Sequence, residues 1–198
     1  MRRHVEVVLD FVCVHSYLGF TRFLRAVEEH RRTGGEVVVR FAPFQLRPQA
    51  SPGGEPLFEV HERERGAAVA REIAESTFGA EDGLRVDLRR AIFTNTFDAH
   101  RLLAAASEQD RGEEMAERLF RAYFTDGLNI ADPHTLEALA DDVGVAPPTG
   151  GADSLRAELD RVRSLGVEMP PVFRFDHGRA VSGSSDVARF LAELAEAA

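Results

Sequence analysis

The chain of 198 residues contains no lysine and no tryptophan, and it has a single cysteine. All 24 basic residues are therefore arginine, which excludes Schiff-base catalysis and a phosphate-binding loop built on a lysine. One cysteine, Cys13, cannot form an intramolecular disulfide, and this usage fits a reducing compartment. Long apolar runs are missing too: none approaches the roughly 20 residues needed to span a bilayer. The start, Met1-Arg2-Arg3-His4-Val5-Glu6, is basic, but Glu6 and Asp10 interrupt the apolar stretch before a secretory segment could form. A cytoplasmic protein without a membrane partner is expected. Basic residues are outnumbered by 33 acidic ones, for a net charge of -9 and a pI near 5.3. That mean field repels phosphate backbones, so no nucleic-acid partner is expected.

What is present points to a globular α/β chain. Hydrophobic residues make up 44% and charged residues 29% of it, and its length suffices to bury a core. Val5 to Leu9 reads as a buried strand of the kind found in parallel sheets. From Ser16 the residues Tyr17, Phe20, Leu24 and Val27 recur at helical spacing, and Arg31-Arg32-Thr33-Gly34-Gly35 ends that helix. Glu36 to Phe41 reads as a second strand. The stretch from about Leu57 to Val145 carries helical signals and almost no strand signal, which predicts an insertion of four or so helices. Asp132-Pro133 starts one of them, as an N-cap acid followed by proline at the first helical position. After the linker Ala146-Pro147-Pro148-Thr149-Gly150-Gly151 comes another helix, on Leu155, Leu159 and Val162. Val172 to Phe175 and Arg179 to Val181 flank Asp176-His177-Gly178 as a hairpin. Ser184 or Ser185 is the expected cap of a final helix through Phe190, Leu191 and Leu194. The fourteen phenylalanines read as core.

Five segments resemble one family. Asp10-Phe11-Val12-Cys13-Val14-His15-Ser16-Tyr17-Leu18-Gly19 is similar to the active-site segment of DsbA-like thioredoxin-fold oxidoreductases, nearest to the FrnE-type subgroup. Thr96 to Leu102 and Leu119 to Gly127 continue the likeness. Gly166-Val167-Glu168-Met169-Pro170-Pro171-Val172-Phe173 aligns with the loop carrying that family's cis-proline, and Ala180-Val181-Ser182-Gly183 with the segment after its last strand. The resemblance implies a thioredoxin-like fold with an inserted all-helical subdomain: residues 1–56 and 150–198 as the thioredoxin-like domain, 57–149 as the insertion. It also implies thiol–disulfide exchange with a small-molecule or protein substrate. It places the cis peptide at Pro171, close to Cys13.

Two departures matter. The family's C-x-x-C pair is here Cys13 and Ser16, so the resolving thiol is absent, and a mixed disulfide would need an external thiol for release. Pro170 has no N–H, so one of the two main-chain bonds that the residue before the cis-proline offers a bound peptide is lost. A thiol-dependent oxidoreductase using Cys13 alone is the leading expectation, with no bound cofactor and glutathione or another low-molecular-weight thiol as co-substrate. The alternatives are a glutathione-dependent isomerase or transferase, since Asp10-Phe11 with Ser16-Tyr17-Leu18 is similar to their Ser-Pro-x-Ser-Tyr motif, and a binding protein that keeps the fold without the chemistry. Oligomeric state is not legible.

The expected catalytic positions are Cys13, His15, Ser16 and Pro171, with Pro170 and Tyr17 contacting substrate. A helix N-terminus favours thiolate, which predicts a lowered pKa at Cys13. His15 is expected either to stabilise that thiolate or to be an exposed helix-start residue. Ser16 is expected to donate its hydroxyl to the sulfur or to satisfy a backbone group. His100 and Asp98, two apart, do not share a helix face. His4, His30, His61, His134 and His177 show no metal-ligand spacing, and no metal site is expected.

Overall fold

The computed structural model describes residues 2–196. In chain order it contains β1 (Arg2–Leu9), α1 (Val14–Arg32), β2 (Glu36–Pro43), β3 (Glu55–Pro56), α2 (Leu57–Arg65), α3 (Ala67–Ala74), β4 (Ile92–Phe93), α4 (Phe97–Glu108), α5 (Gly112–Arg121), α6 (Pro133–Val143), α7 (Ala152–Ser164), β5 (Val172–Phe175), β6 (Ala180–Ser182) and α8 (Val187–Ala195). The chain divides into two compact units, one of residues 1–44 and 152–198 and one of residues 45–151. No helix among the described residues is long and apolar enough to cross a membrane.

The first unit is a thioredoxin-like fold. Its sheet has the order β2-β1-β5-β6, with β1 parallel to β2 and antiparallel to β5. The continuous run Val5, Val7, Val8, Leu9 is at most 1% exposed, because β1 is central and covered on both faces. Alternate residues face opposite layers. Val7 pairs with Phe173, whose ring meets Phe23 of α1 at 5.0 Å and Phe190 of α8 at 4.7 Å. On the other face Val8, Ala42 and Val162 of α7 form a second apolar cluster. There Glu6 holds α7 to the sheet through Arg161 at 2.6 Å, and Glu158 bonds both Arg161 and Arg40 at 2.8 Å. These guanidiniums hold the Glu158 carboxyl below its usual range, Arg161 contributing most.

The second unit, residues 45–151, carries five α-helices, with Gly66 at φ 86° breaking α2 from α3. Asp132 caps α6 as expected, accepting the Thr135 N–H at 2.8 Å with Pro133 at the first helical position. Two features depart from the sequence reading. β3 and β4 are strands of two residues each, pairing Glu55 with Phe93 and Pro56 with Ile92, too short for a periodicity to register. The cap of α8 is Asp186, which accepts the Arg189 N–H at 2.7 Å, and not Ser184 or Ser185. A carboxylate at this position gains from the helix dipole as well as from the hydrogen bond, and the Ser184 carbonyl is engaged by Arg22 at 2.9 Å.

Candidate active site

Where β1 ends, the chain turns at Asp10-Phe11-Val12 and re-enters as α1. The Cys13 N–H donates to the Asp10 carbonyl at 3.1 Å and closes that turn. Cys13 is the N-cap of α1, with extended backbone at φ -95° and ψ 110°. The sulfur therefore stands above the unpaired N–H groups of the first turn. Ser16, one turn on, is fully buried. Its hydroxyl accepts the Asp10 N–H at 3.4 Å and draws the Cys13 thiol towards the thiolate.

From the other side the loop after α7 reaches the same place. The Pro170-Pro171 peptide is cis, and the Cys13 thiol donates to the Pro170 carbonyl at 3.6 Å. Gly19 makes this approach possible. A Cβ built there would lie 3.0 Å from the Pro171 ring, 3.2 Å from the Gly183 carbonyl oxygen and 3.4 Å from the Ser184 Cα. Alanine ordinarily stabilises a helix interior over glycine by about 1 kcal/mol. Here Gly19→Ala forces the loop and the β6–α8 turn outward, and overpacking costs about 1–3 kcal/mol. The expected outcome is a net loss of stability together with faster alkylation of Cys13; a stabilised variant with unchanged alkylation would show the contact to be slack.

The electrostatics of Cys13 run opposite to the sequence expectation. Burial, at 6% exposure, pushes its thiol above the ordinary cysteine range; the Ser16 hydroxyl and the N–H groups of Ser16 and His15 pull it down, and the Asp10 charge adds to the rise. Desolvation wins because the thiolate gives up bulk water for only a few donors. A carbonyl partner at Pro170 also suits a protonated thiol and not an anion. A group with a raised native pKa lends its stability below the unfolded value, about 8.5 for cysteine, and loses it as pH climbs through the native value. Two measurements follow. At pH 7 iodoacetamide should label native Cys13 more slowly than the unfolded chain, and the native rate should keep rising above about pH 8.5. A rate already level at pH 7 would mean a thiolate at rest.

The remaining expected positions are now placed. His15 is exposed, and it acts on the sulfur through its backbone N–H. Tyr17 is 5% exposed, within the buried face of α1. His100 is buried on α4, and Asp98 pairs with Arg101 at 2.8 Å. Sequence reasoning quoted Asp10 and Gly19 within the matching segment but gave neither a role. Asp10 is fully buried; the signal for it is an acid set directly between the apolar run of β1 and Phe11, where no solvent-facing position is due. Nothing local marks Gly19, since its neighbours come from the far end of the chain.

The DSBA-like thioredoxin domain family matches residues 4–195. Among solved structures, a probable DsbA oxidoreductase from Streptomyces coelicolor is 27% identical, with a TM-score of 0.84 over 97% of this chain and 88% of that one. The cytosolic disulfide reductase DsbM from Pseudomonas aeruginosa is 22% identical, with a TM-score of 0.57 over 96% and 93%; that likeness is one of fold. Among curated proteins, the uncharacterized protein YwbO of Bacillus subtilis is 28% identical over 145 residues, 73% of this chain and 68% of that protein. With a cysteine at the head of α1, a cis-proline loop against it and a match over nearly the whole length, the chain belongs to the DSBA-like thioredoxin domain family.

Proposed function

We propose that the protein is a FrnE-type thiol–disulfide oxidoreductase of the cytoplasm that works through Cys13 alone. One observation carries the reading: the sole cysteine caps α1 with a serine hydroxyl at the place of the resolving thiol. The Cys13 thiolate attacks a substrate disulfide, forming a mixed disulfide and expelling one substrate thiolate. A low-molecular-weight thiol such as glutathione then attacks that adduct, regenerating Cys13 and leaving with the substrate sulfur as a new disulfide. DsbM of Pseudomonas aeruginosa has been solved with GSH, which makes glutathione the first co-substrate to try. The resting thiol is protonated, so exchange is slow at neutral pH and quickens as pH rises.

Burial of the sulfur and the missing N–H at Pro170 favour a second reading, a binding protein without chemistry. Mass spectrometry separates the two. Incubation with oxidised glutathione at pH 8.5 should add one glutathione to the wild type and none to Cys13→Ser, and added thiol should remove it. An unmodified wild type, after hours at millimolar oxidised glutathione, would sink the redox reading and leave the binding protein.

A further inference from the structure

At the end of the sheet away from Cys13, the β5–β6 turn meets the last turn of α8. The Asp176 N–H donates to the His4 carbonyl at 3.1 Å, which fixes the turn beside the start of β1. Next to it the side-chain ligand atoms of His177, Glu193 and Glu196 lie within 4.8 Å of one another. Glu193 is the unusual member. Its side chain is 1% exposed, in a class of residue that is almost never buried without a partner. Oε1 is met by Arg189 at 2.6 Å, but Oε2 has no hydrogen-bond partner among the described residues. It points at His177 Nε2, 3.4 Å away, while that nitrogen sits 3.2 Å from the main-chain carbonyl oxygen of Glu193.

We propose that His177, Glu193 and Glu196 form a binding site for a divalent cation of the zinc class, which clamps the β5–β6 turn to α8. Imidazole nitrogen and carboxylate oxygen are ligands zinc takes at about 2.0–2.2 Å. In a tetrahedron of that size two ligand atoms stand about 3.3 Å apart, close to the 3.4 Å between Nε2 and Oε2. The ion supplies the positive partner that Oε2 lacks, Glu196 adds a second carboxylate, and water completes the shell. On binding, Nε2 gives its lone pair to the metal and the imidazole proton moves to Nδ1, displacing a long contact from the Arg179 N–H at 3.4 Å.

Three guanidiniums surround the cluster and oppose an added dication. Arg189 engages the other oxygen of Glu193 and Arg179 pairs with Glu196, but both are more than half exposed, so water screens them. Arg3 donates to the Leu194 carbonyl at 3.1 Å and to the Glu196 carbonyl, and reaches towards Asp176 at 3.9 Å, so its charge is shared among these oxygens.

The test is titration of the chelator-treated full chain with zinc chloride, followed by calorimetry, and with cobalt chloride, followed by visible absorption. One ion per chain is expected, with a higher melting temperature. Glu193→Gln and His177→Gln keep size and polarity, and each should weaken binding on the order of a hundredfold. Cys13→Ser should bind as the wild type does. Absence of one-to-one binding by the folded wild type would overturn the site and leave a plain His177–Glu193 contact. Binding that survives both glutamine variants, or disappears with Cys13→Ser, would overturn it equally.

Discussion

Ser16→Cys should raise turnover in a disulfide-reduction assay with glutathione as the reductant on the order of tenfold or more, a barrier change of ~1.4 kcal/mol per factor of ten. Ser16 follows Cys13 by one helical turn, and its hydroxyl already draws the Cys13 thiol towards the thiolate. A sulfur in that place can attack the mixed disulfide from within, so release no longer waits on a second molecule. The site tolerates the change, since Ser16 is fully buried and cysteine behaves there as a small hydrophobe; the 3.4 Å bond from the Asp10 N–H and the hydroxyl's pull on the Cys13 thiol are given up. Ser16→Ala is the control. It removes a donor that favours thiolate and supplies no thiol, so adduct formation should slow. Adding Pro170→Val to Ser16→Cys restores an N–H beside the cis peptide and should help peptide disulfides more than small ones. A Ser16→Cys protein no faster than wild type, with its adduct still dependent on external thiol, would show that position 16 does not face the leaving sulfur.

Phe190→Ala should cost about 3–5 kcal/mol, enough to unfold many domains of this size. Phe190 is fully buried and closes a three-ring stack, 5.5 Å from Phe23 and 4.7 Å from Phe173. Each ring comes from a different element, α1, β5 and α8, so truncation opens a cavity that no single element can shift to fill. Urea unfolding monitored by circular dichroism measures the loss as a lowered midpoint at unchanged slope. A loss below about 1 kcal/mol would mean that α8 is not needed to hold the sheet.

Much of this architecture can be read locally. The apolar run of β1, the glycines after α1, the Asp132-Pro133 start of α6 and the hairpin around Gly178 each record their structure within a few residues. The resemblance adds the cis peptide at Pro171, which no spacing discloses. What resisted reading depends on distant chain. Cys13 sits at a helix start, which argues for thiolate; its burial against Pro170, 157 residues away, argues harder for the protonated form. Gly19 reads as a poor helix residue until Pro171 and Gly183 are seen against it. His177 and Glu193 are 16 apart, a spacing that belongs to no ligand motif.

The first unit is assembled from the two ends of the chain, and this orders events during synthesis. Residues 45–151 form one unbroken stretch with their own interior of Leu102, Met115, Leu119 and Phe120, so they can condense while the rest is still being made. β1 has β2 beside it early but lacks its other neighbour: Val5 pairs with Phe175, and at about 5–20 residues per second the strand waits on the order of ten seconds for β5. Cys13 is translated well before Pro170, the residue that covers it. Until Pro170 leaves the ribosome, the nascent chain carries an open thiol with no second cysteine to trap it, so any oxidant met in that interval acts on Cys13 before the mature shelter exists.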